Sequence, residues 1–222
     1  MVFLNRATIS KDSVYQFNWE AFKLYLNKLL IGISKNTITP ISGDRWEEVI
    51  YVILKHMNLD PVWNLGSHRP GADLWFNDFS ISAKSGNFKN NNLIISSYRL
   101  TRYNNLDEMI NFIDSKEGKN YDVHMCCART DFIDGSRNYK VYVLDANLFK
   151  AKEMKWEEMK GVRSPGTTGW RGIHDNGITV EIRKKMSNQL WLSYPLELCN
   201  QITDITIQKA ELGSEANSFL MN

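Results

Sequence analysis

The sequence predicts an α/β fold, a central mixed β-sheet flanked by helices, on three observations. Two stretches near the N-terminus carry apolar residues at helical spacing. The pattern then switches to period two between Ala72 and Leu100. A short amphipathic stretch finally separates those strands from further apolar-rich runs. Asn18 to Ile33 puts Trp19, Phe22, Leu26, Leu29, Leu30 and Ile33 on one helical face, and Asn36 to Gly43 is a turn-rich break. Asp44 to about Met57 is a second helix with Trp46, Val49, Ile50, Ile53, Leu54 and Met57 on one stripe; Asp44 and Glu47 have capping-box spacing. Ala72 to Phe76 and Phe79 to Lys84 are strands joined by the two-residue turn Asn77-Asp78. After the polar break Asn90 to Asn92 comes a strand from Leu93 to Leu100, then a helix from Leu106 to about Ile113 capped by Asn105. Asp122 to Arg129 and Lys140 to Asp145 are apolar enough for the inside of a sheet. The C-terminal third is less regular. There Ala146 to Met159 has a helical pattern, Gly161 to Gly177 is a long loop, Ile178 to Arg183 and Gln189 to Tyr194 are a candidate strand pair, and Gly213 to Asn222 is a frayed tail.

The chain has 222 residues, 43% hydrophobic and 23% charged. At ~150 residues per domain that is one domain, and a chain this size buries roughly 70% of its unfolded surface without needing a staple. Cys126, Cys127 and Cys199 cannot all pair with one another, which points to buried thiols in a reducing compartment. No apolar run approaches the ~18 residues of a membrane span, and Met1 to Ser10 lacks the pattern of a secretory signal. Membrane, secreted and disordered classes are therefore excluded as expectations. The net charge of +2 leans only slightly towards anionic partners.

Chemistry concentrates in the hairpin. With Asn77-Asp78 as the turn, Phe76 faces Phe79, Leu74 faces Ile81 and Asp73 faces Ser82. Ala72, Leu74, Phe76, Phe79, Ile81 and Ala83 then form an apolar face, leaving Asp73, Ser82 and Lys84 together on the other. A carboxylate oxygen is a natural Mg²⁺ ligand, and a nearby lysine can orient water or stabilise charge on a phosphodiester undergoing attack.

Asp73 followed by Ser82-Ala83-Lys84 resembles the motif of the PD-(D/E)xK nuclease superfamily, best represented among type II restriction endonucleases. The resemblance spans about residues 43–129, the expected catalytic core, with the order α-β-β-β-α-β. Ala72 stands where the motif has proline, and Ser82 where it has an acidic residue. Some restriction enzymes carry serine there and supply the missing carboxylate from the following helix. Glu47 is the first candidate, since Gly43-x-x-x-Glu47 resembles the acidic helix motif ahead of the hairpin; Glu108 is the second.

The resemblance implies a Mg²⁺-dependent, sequence-specific double-strand DNA endonuclease leaving 5′-phosphate and 3′-hydroxyl ends. Asp73, Glu47 and the Ser82 carbonyl would hold the metal, and Lys84 would position or deprotonate the attacking water. It further implies a homodimer, a cognate DNA methyltransferase as functional partner, and a bacterial cytoplasm. A structure-selective repair or junction-resolving nuclease and a non-catalytic DNA-binding protein on a decayed nuclease scaffold are the alternatives.

For DNA contact, Lys150 to Lys185 holds nine Lys/Arg against five Asp/Glu. Within it the segment 160–177 carries Lys160, Arg163, Thr167, Thr168 and Arg171, residue types suited to phosphates and guanine edges. Lys89, Asn90 to Asn92, Arg99 and Arg102 are rival contacts, and His68 lies just ahead of the hairpin. Structural readings stand beside these. Glu47 and Glu108 would complete capping boxes, Asp73 and Lys84 would form a cross-strand salt bridge, and His124, Cys126 and Cys127 lack the spacing of a zinc site.

Overall fold

A computed structural model describes residues 17–64, 71–161 and 168–216. Helices α1 (Trp19–Asn36) and α2 (Gly43–His56) come first, followed by β1 (Val62–Trp63), β2 (Leu74–Phe76), β3 (Phe79–Lys89) and β4 (Asn92–Arg99). Helix α3 (Leu106–Ile113) leads to β5 (Val123–Asp131) and β6 (Arg137–Asp145). The rest is strand: β7 (Lys155–Lys160), β8 (Thr168–Ile173), β9 (Thr179–Arg183), β10 (Gln189–Pro195) and β11 (Asn200–Ile207). The fold is thus mixed α/β with one large central sheet of eleven strands among the described residues, ordered β11-β6-β5-β3-β4-β10-β9-β8-β7, with β1 and β2 joined to β3.

Helical spacing is honoured in α1, whose buried stripe is Phe22, Leu26 and Leu30, and whose first turn is capped by Asn18 accepting from Ala21 N–H. Helix α2 begins a residue earlier than its pattern suggests, with Ser42 at the N-cap position. Asp44 therefore lies inside the first turn rather than at the expected cap position. The β2–β3 hairpin has the expected register, Leu74↔Ile81, Trp75↔Ser80 and Phe76↔Phe79, with Asn77 in the left-handed region (φ 50°) as the tight turn requires.

Two packed layers sandwich the sheet. On one face Phe22, Leu30, Trp46 and Ile50 of the helices pack on Leu74, Phe79, Ile81, Met125 and Val141. On the other, Met109 and Phe112 of α3 and Phe149 pack on Leu93, Ile95, Cys126, Val180 and Leu192. Ala72 departs from the expected face. It packs with Tyr121, Ala146 and Trp75, because the strand starts only at Leu74, beyond Gly71 at φ 120°.

The C-terminal third is regular, contrary to its sequence pattern. Residues 155–160 are the strand β7 rather than a helix, residues 168–173 are the strand β8 rather than loop, and β11 adds to the sheet beside β6. The expected pair of strands does form, as β9 and β10. No helix among the described residues is long and apolar enough to cross a membrane.

Candidate metal and phosphodiester site

The site arises from a gap in the sheet. Strand β5 pairs in parallel with β3 from Ile81 to Gly86. Ile81 and Gly86 also pair with β2 and β4 respectively, so those two strands must lie on the opposite side of β3 from β5. Between them, no strand among the described residues flanks residues 82–85 of β3 on that side. Such an edge leaves backbone N–H and C=O groups open.

Asp73 and Lys84 fill the gap. Asp73 Oδ2 accepts from Ala83 N–H at 2.7 Å, from Ser82 Oγ at 3.4 Å and from Lys84 Nζ at 3.3 Å. Lys84 Nζ also donates to the Ala83 carbonyl at 3.0 Å. The two charged side chains are about one-fifth exposed, so the pair sits in a shallow, solvent-reachable notch. Asp73 Oδ1 has no hydrogen-bond partner among the described residues. The expected cluster of Asp73, Ser82 and Lys84 is therefore assembled, at the strand edge rather than over a sheet face.

Strand parity corrects one assignment. Backbone groups along a strand point alternately to its two sides. Ser80 O accepts from Asp122 N–H in β5's direction, whereas Ile81 O accepts from Asp73 N–H on the open side. The Ser82 carbonyl consequently turns towards β5, away from Asp73. The carbonyl in the notch belongs to Ala83. The expected Ser82 carbonyl is thus not the oxygen beside Asp73, while the Ser82 side chain is buried beneath the carboxylate.

Glu47 lies on α2, which packs along β3. The helix's first residue, Gly43, lies close to β3, since a Cβ there would meet Ser85 Oγ at 3.6 Å. One turn further on, Glu47 Oε2 accepts from Trp63 Nε1 at 3.1 Å. Trp63 pairs with Leu74, and Asn64 N–H donates to the Asp73 carbonyl at 2.9 Å. Glu47 is thus half-buried and tied through β1 to the segment that leads through Asp73 into β2, while Glu48 faces solvent.

Glu108 does not join. Its carboxylate accepts from Asn104 N–H (3.0 Å) and its N–H donates to Asn105 Oδ1 (2.9 Å), so it caps α3 and is exposed there. The second-choice metal ligand is accordingly a capping residue. Among the described residues no group of three or more His, Cys, Asp and Glu is arranged to hold a metal ion.

The expected DNA contacts are scattered. Lys89 is exposed at the end of β3 and borders a groove of about 180 Å³ with Asn92, Arg183 and Trp191. Arg99 Nε reaches Gln189 Oε1 at 3.3 Å, and Arg102 is ion-paired with Glu117 at 2.9 Å. Arg171 belongs to β8, where it binds Glu181 at 2.6 Å, and is not a loop residue. Lys160 ends β7 opposite Thr168 at the start of β8. Arg163, Thr167 and His68 lie outside the described residues.

Sequence reasoning overlooked three participants. Trp63 sits in a two-residue strand too short to show a period. Ala83 contributes a backbone atom, which its side chain does not advertise. His124, considered only as a zinc ligand, is fully buried beside Ser82 on β5, and burial foremost, then the charge of Lys84, drives its basicity well below the usual range. Burial likewise raises the thiol pKa of Cys126, and that of Cys127 to about 12, leaving both as inert core groups.

The donor set suits a hard cation. Two oxygens, Asp73 Oδ2 and Ala83 O, already converge on the positive charge of Lys84, and Mg²⁺ is commonly held by one or two carboxylates with water and phosphate oxygens completing its shell. No protein-family model, curated protein or solved structure matches the chain.

Proposed function

We propose that this chain is a Mg²⁺-dependent double-strand DNA endonuclease of the restriction type, with the notch of Asp73, Ala83 and Lys84 as its active site. One observation carries the reading: the Lys84 ammonium occupies the convergence of a carboxylate and a backbone carbonyl on an unpaired strand edge. That is a position for a cation, which is what a phosphodiester under attack requires. Asp73 and Ala83 would hold the metal, with Glu47 as the further carboxylate. A bound divalent cation acidifies water and offsets charge developing on the phosphate oxygens. Lys84 orients the attacking water and stabilises the phosphorane-like transition state as a point charge.

The succession α2, β2, β3, β4, α3, β5 over residues 43–129 supports a restriction-endonuclease-like core, with the two-residue β1 inserted. Cutting both strands of a near-palindromic site calls for a two-fold homodimer, and a companion methyltransferase belongs to the same reading.

Supercoiled plasmid with the full chain and Mg²⁺ tests it. Wild type is expected to yield fragments with fixed 5′-phosphate ends, EDTA to abolish cutting, and Asp73→Asn and Lys84→Ala each to lose it. Undiminished cutting by both variants would overturn the assignment. A second reading, a non-catalytic DNA-binding protein, is favoured by the lack of a three-residue metal cluster among the described residues. Metal-independent DNA binding without cleavage by wild type would establish it.

A further inference from the structure

Cation binding at the notch poses a question that the proposed function leaves open. A Mg²⁺ ion held by Asp73 and Ala83 competes for the two oxygens that now bind Lys84 Nζ. The ammonium must move, and it must find another acceptor.

We infer that His124 is a positioning residue that receives Lys84 when a divalent cation takes the ammonium's place at Asp73 and Ala83. The inference rests on the proposed function. Ser82 and His124 are register partners on β3 and β5, so their side chains share a face, and Lys84, two residues beyond Ser82, points to that same face. Diagonal neighbours on a sheet face lie within reach of a long side chain.

His124 is fully buried, with its ring 4.3 Å from that of Tyr121; the Ser82 carbonyl lies beside the ring as an acceptor for its N–H, and among the described residues no donor reaches the other nitrogen. Burial and the nearby charges of Lys84 and Lys119 keep the ring neutral; only the Ser82 backbone carbonyl pulls the other way. A neutral imidazole carries one donor and one acceptor nitrogen. An acceptor left unsatisfied in a core is costly and calls for an explanation. Of the other polar groups on this face, the Asp122 carboxylate is engaged by the Ser80 N–H and hydroxyl. The Ser82 hydroxyl is directed at Asp73, and the Cys126 thiol is a weak acceptor. The His124 lone pair is therefore the vacant acceptor beside the displaced lysine. Accepting from it would draw Nζ inward off the Asp73 and Ala83 oxygens, towards β5, rather than letting it drift into solvent.

The test uses the full chain, MgCl₂ as the only ligand, and NMR of ¹⁵N-labelled histidine ring nitrogens. Calorimetry run in parallel reports whether the ion binds. Mg²⁺ is expected to shift one His124 nitrogen towards a hydrogen-bonded acceptor in wild type, and to leave it unmoved in Lys84→Met. His124→Leu is expected to melt no lower than wild type, because it removes an unpaired buried polar group. The same variant should bind Mg²⁺ about 10–100-fold more weakly, the usual effect of losing a residue that orients a metal site. His124→Gln, which keeps a neutral acceptor, should recover most of that loss. Mg²⁺ binding with His124 unmoved, or unchanged affinity in His124→Leu, overturns the inference and leaves the endonuclease reading intact. Absence of Mg²⁺ binding to wild type overturns both.

Discussion

Asp73–Lys84 and Asp114–Lys119 are two pairs of the same residue types, at 3.3 and 3.7 Å, embedded in different surroundings. Asp114 follows α3, and its two oxygens accept from the backbone N–H groups of Ala151 (2.7 Å) and Lys152 (2.9 Å). Lys119 donates to the Phe149 carbonyl and lies 4.5 Å from the centre of that residue's ring. Both side chains are nine-tenths buried, and every contact fastens the segment 149–152 to α3. Burial foremost, and the charge of Lys150 to a lesser extent, pushes the basicity of Lys119 down, and Asp114 works against that shift. In the first pair, one carboxylate oxygen lacks a partner among the described residues, the surrounding strand edge is open, and solvent reaches both groups. The lesson is that an Asp–Lys pair announces chemistry through its unfilled valences rather than its residue types.

The sharpest way to break this contrast is to mutate each pair and read activity and stability together. Asp73→Asn or Lys84→Ala is expected to slow plasmid cleavage by about 10²–10⁴-fold, the range for losing a group that acts on a proton or charge in the transition state. Chemical denaturation should move by no more than about 1 kcal/mol, as for a solvent-reachable pair. Asp114→Ala should do the opposite. It leaves Lys119 buried without its counter-charge, so urea unfolding should register a loss of about 3–5 kcal/mol, while the folded fraction cleaves at the wild-type rate.

Glu181 extends the comparison to a carboxylate whose valences are filled by cations. Burial raises its pKa, but the hydrogen bonds and charges of Arg171 and Arg183 outweigh burial and hold it below its ordinary value of 4.5. A carboxyl depressed in the folded state stabilises above its unfolded pKa and loses that contribution as pH falls through the folded value. Glu181→Gln should therefore cost about 1 kcal/mol at pH 7. The difference from wild type should close as unfolding is followed from pH 5 downward through the depressed value. Smallest of all, Glu108→Gln keeps an acceptor for Asn104 N–H, so thermal stability should stay within about 0.5 kcal/mol and cleavage should be unchanged. A large loss of cleavage there would return Glu108 to the site.

The first half of the molecule was legible because its signals are local. The spacing Phe22, Leu26, Leu30 makes α1, Asn105 starts α3, and the alternation around Asn77-Asp78 sets the hairpin register. The C-terminal strands were not legible, for two physical reasons. Strand β7, Lys-Trp-Glu-Glu-Met-Lys, is a sheet edge, and charged residues that discourage edge-to-edge pairing also give it the composition of a solvent-facing helix. In β11 the register shifts between Gln201 and Thr203, and a bulge of that kind breaks the period-two alternation. At the site, the sequence identified Asp73 and Lys84 because side chains follow hairpin parity. It could not choose between the Ser82 and Ala83 carbonyls, because that depends on which side of β3 receives β5. The same dependence hid His124, which is brought beside Ser82 through a parallel pairing across 42 residues of chain.

The central claim, that the notch is a cation site with an open valence and not a structural salt bridge, is tested most directly by calorimetric titration of Mg²⁺ into wild type and Asp73→Asn. One ion per chain bound by wild type and none by the variant is the predicted result. Equal binding by the two proteins, or none by either, would contradict it.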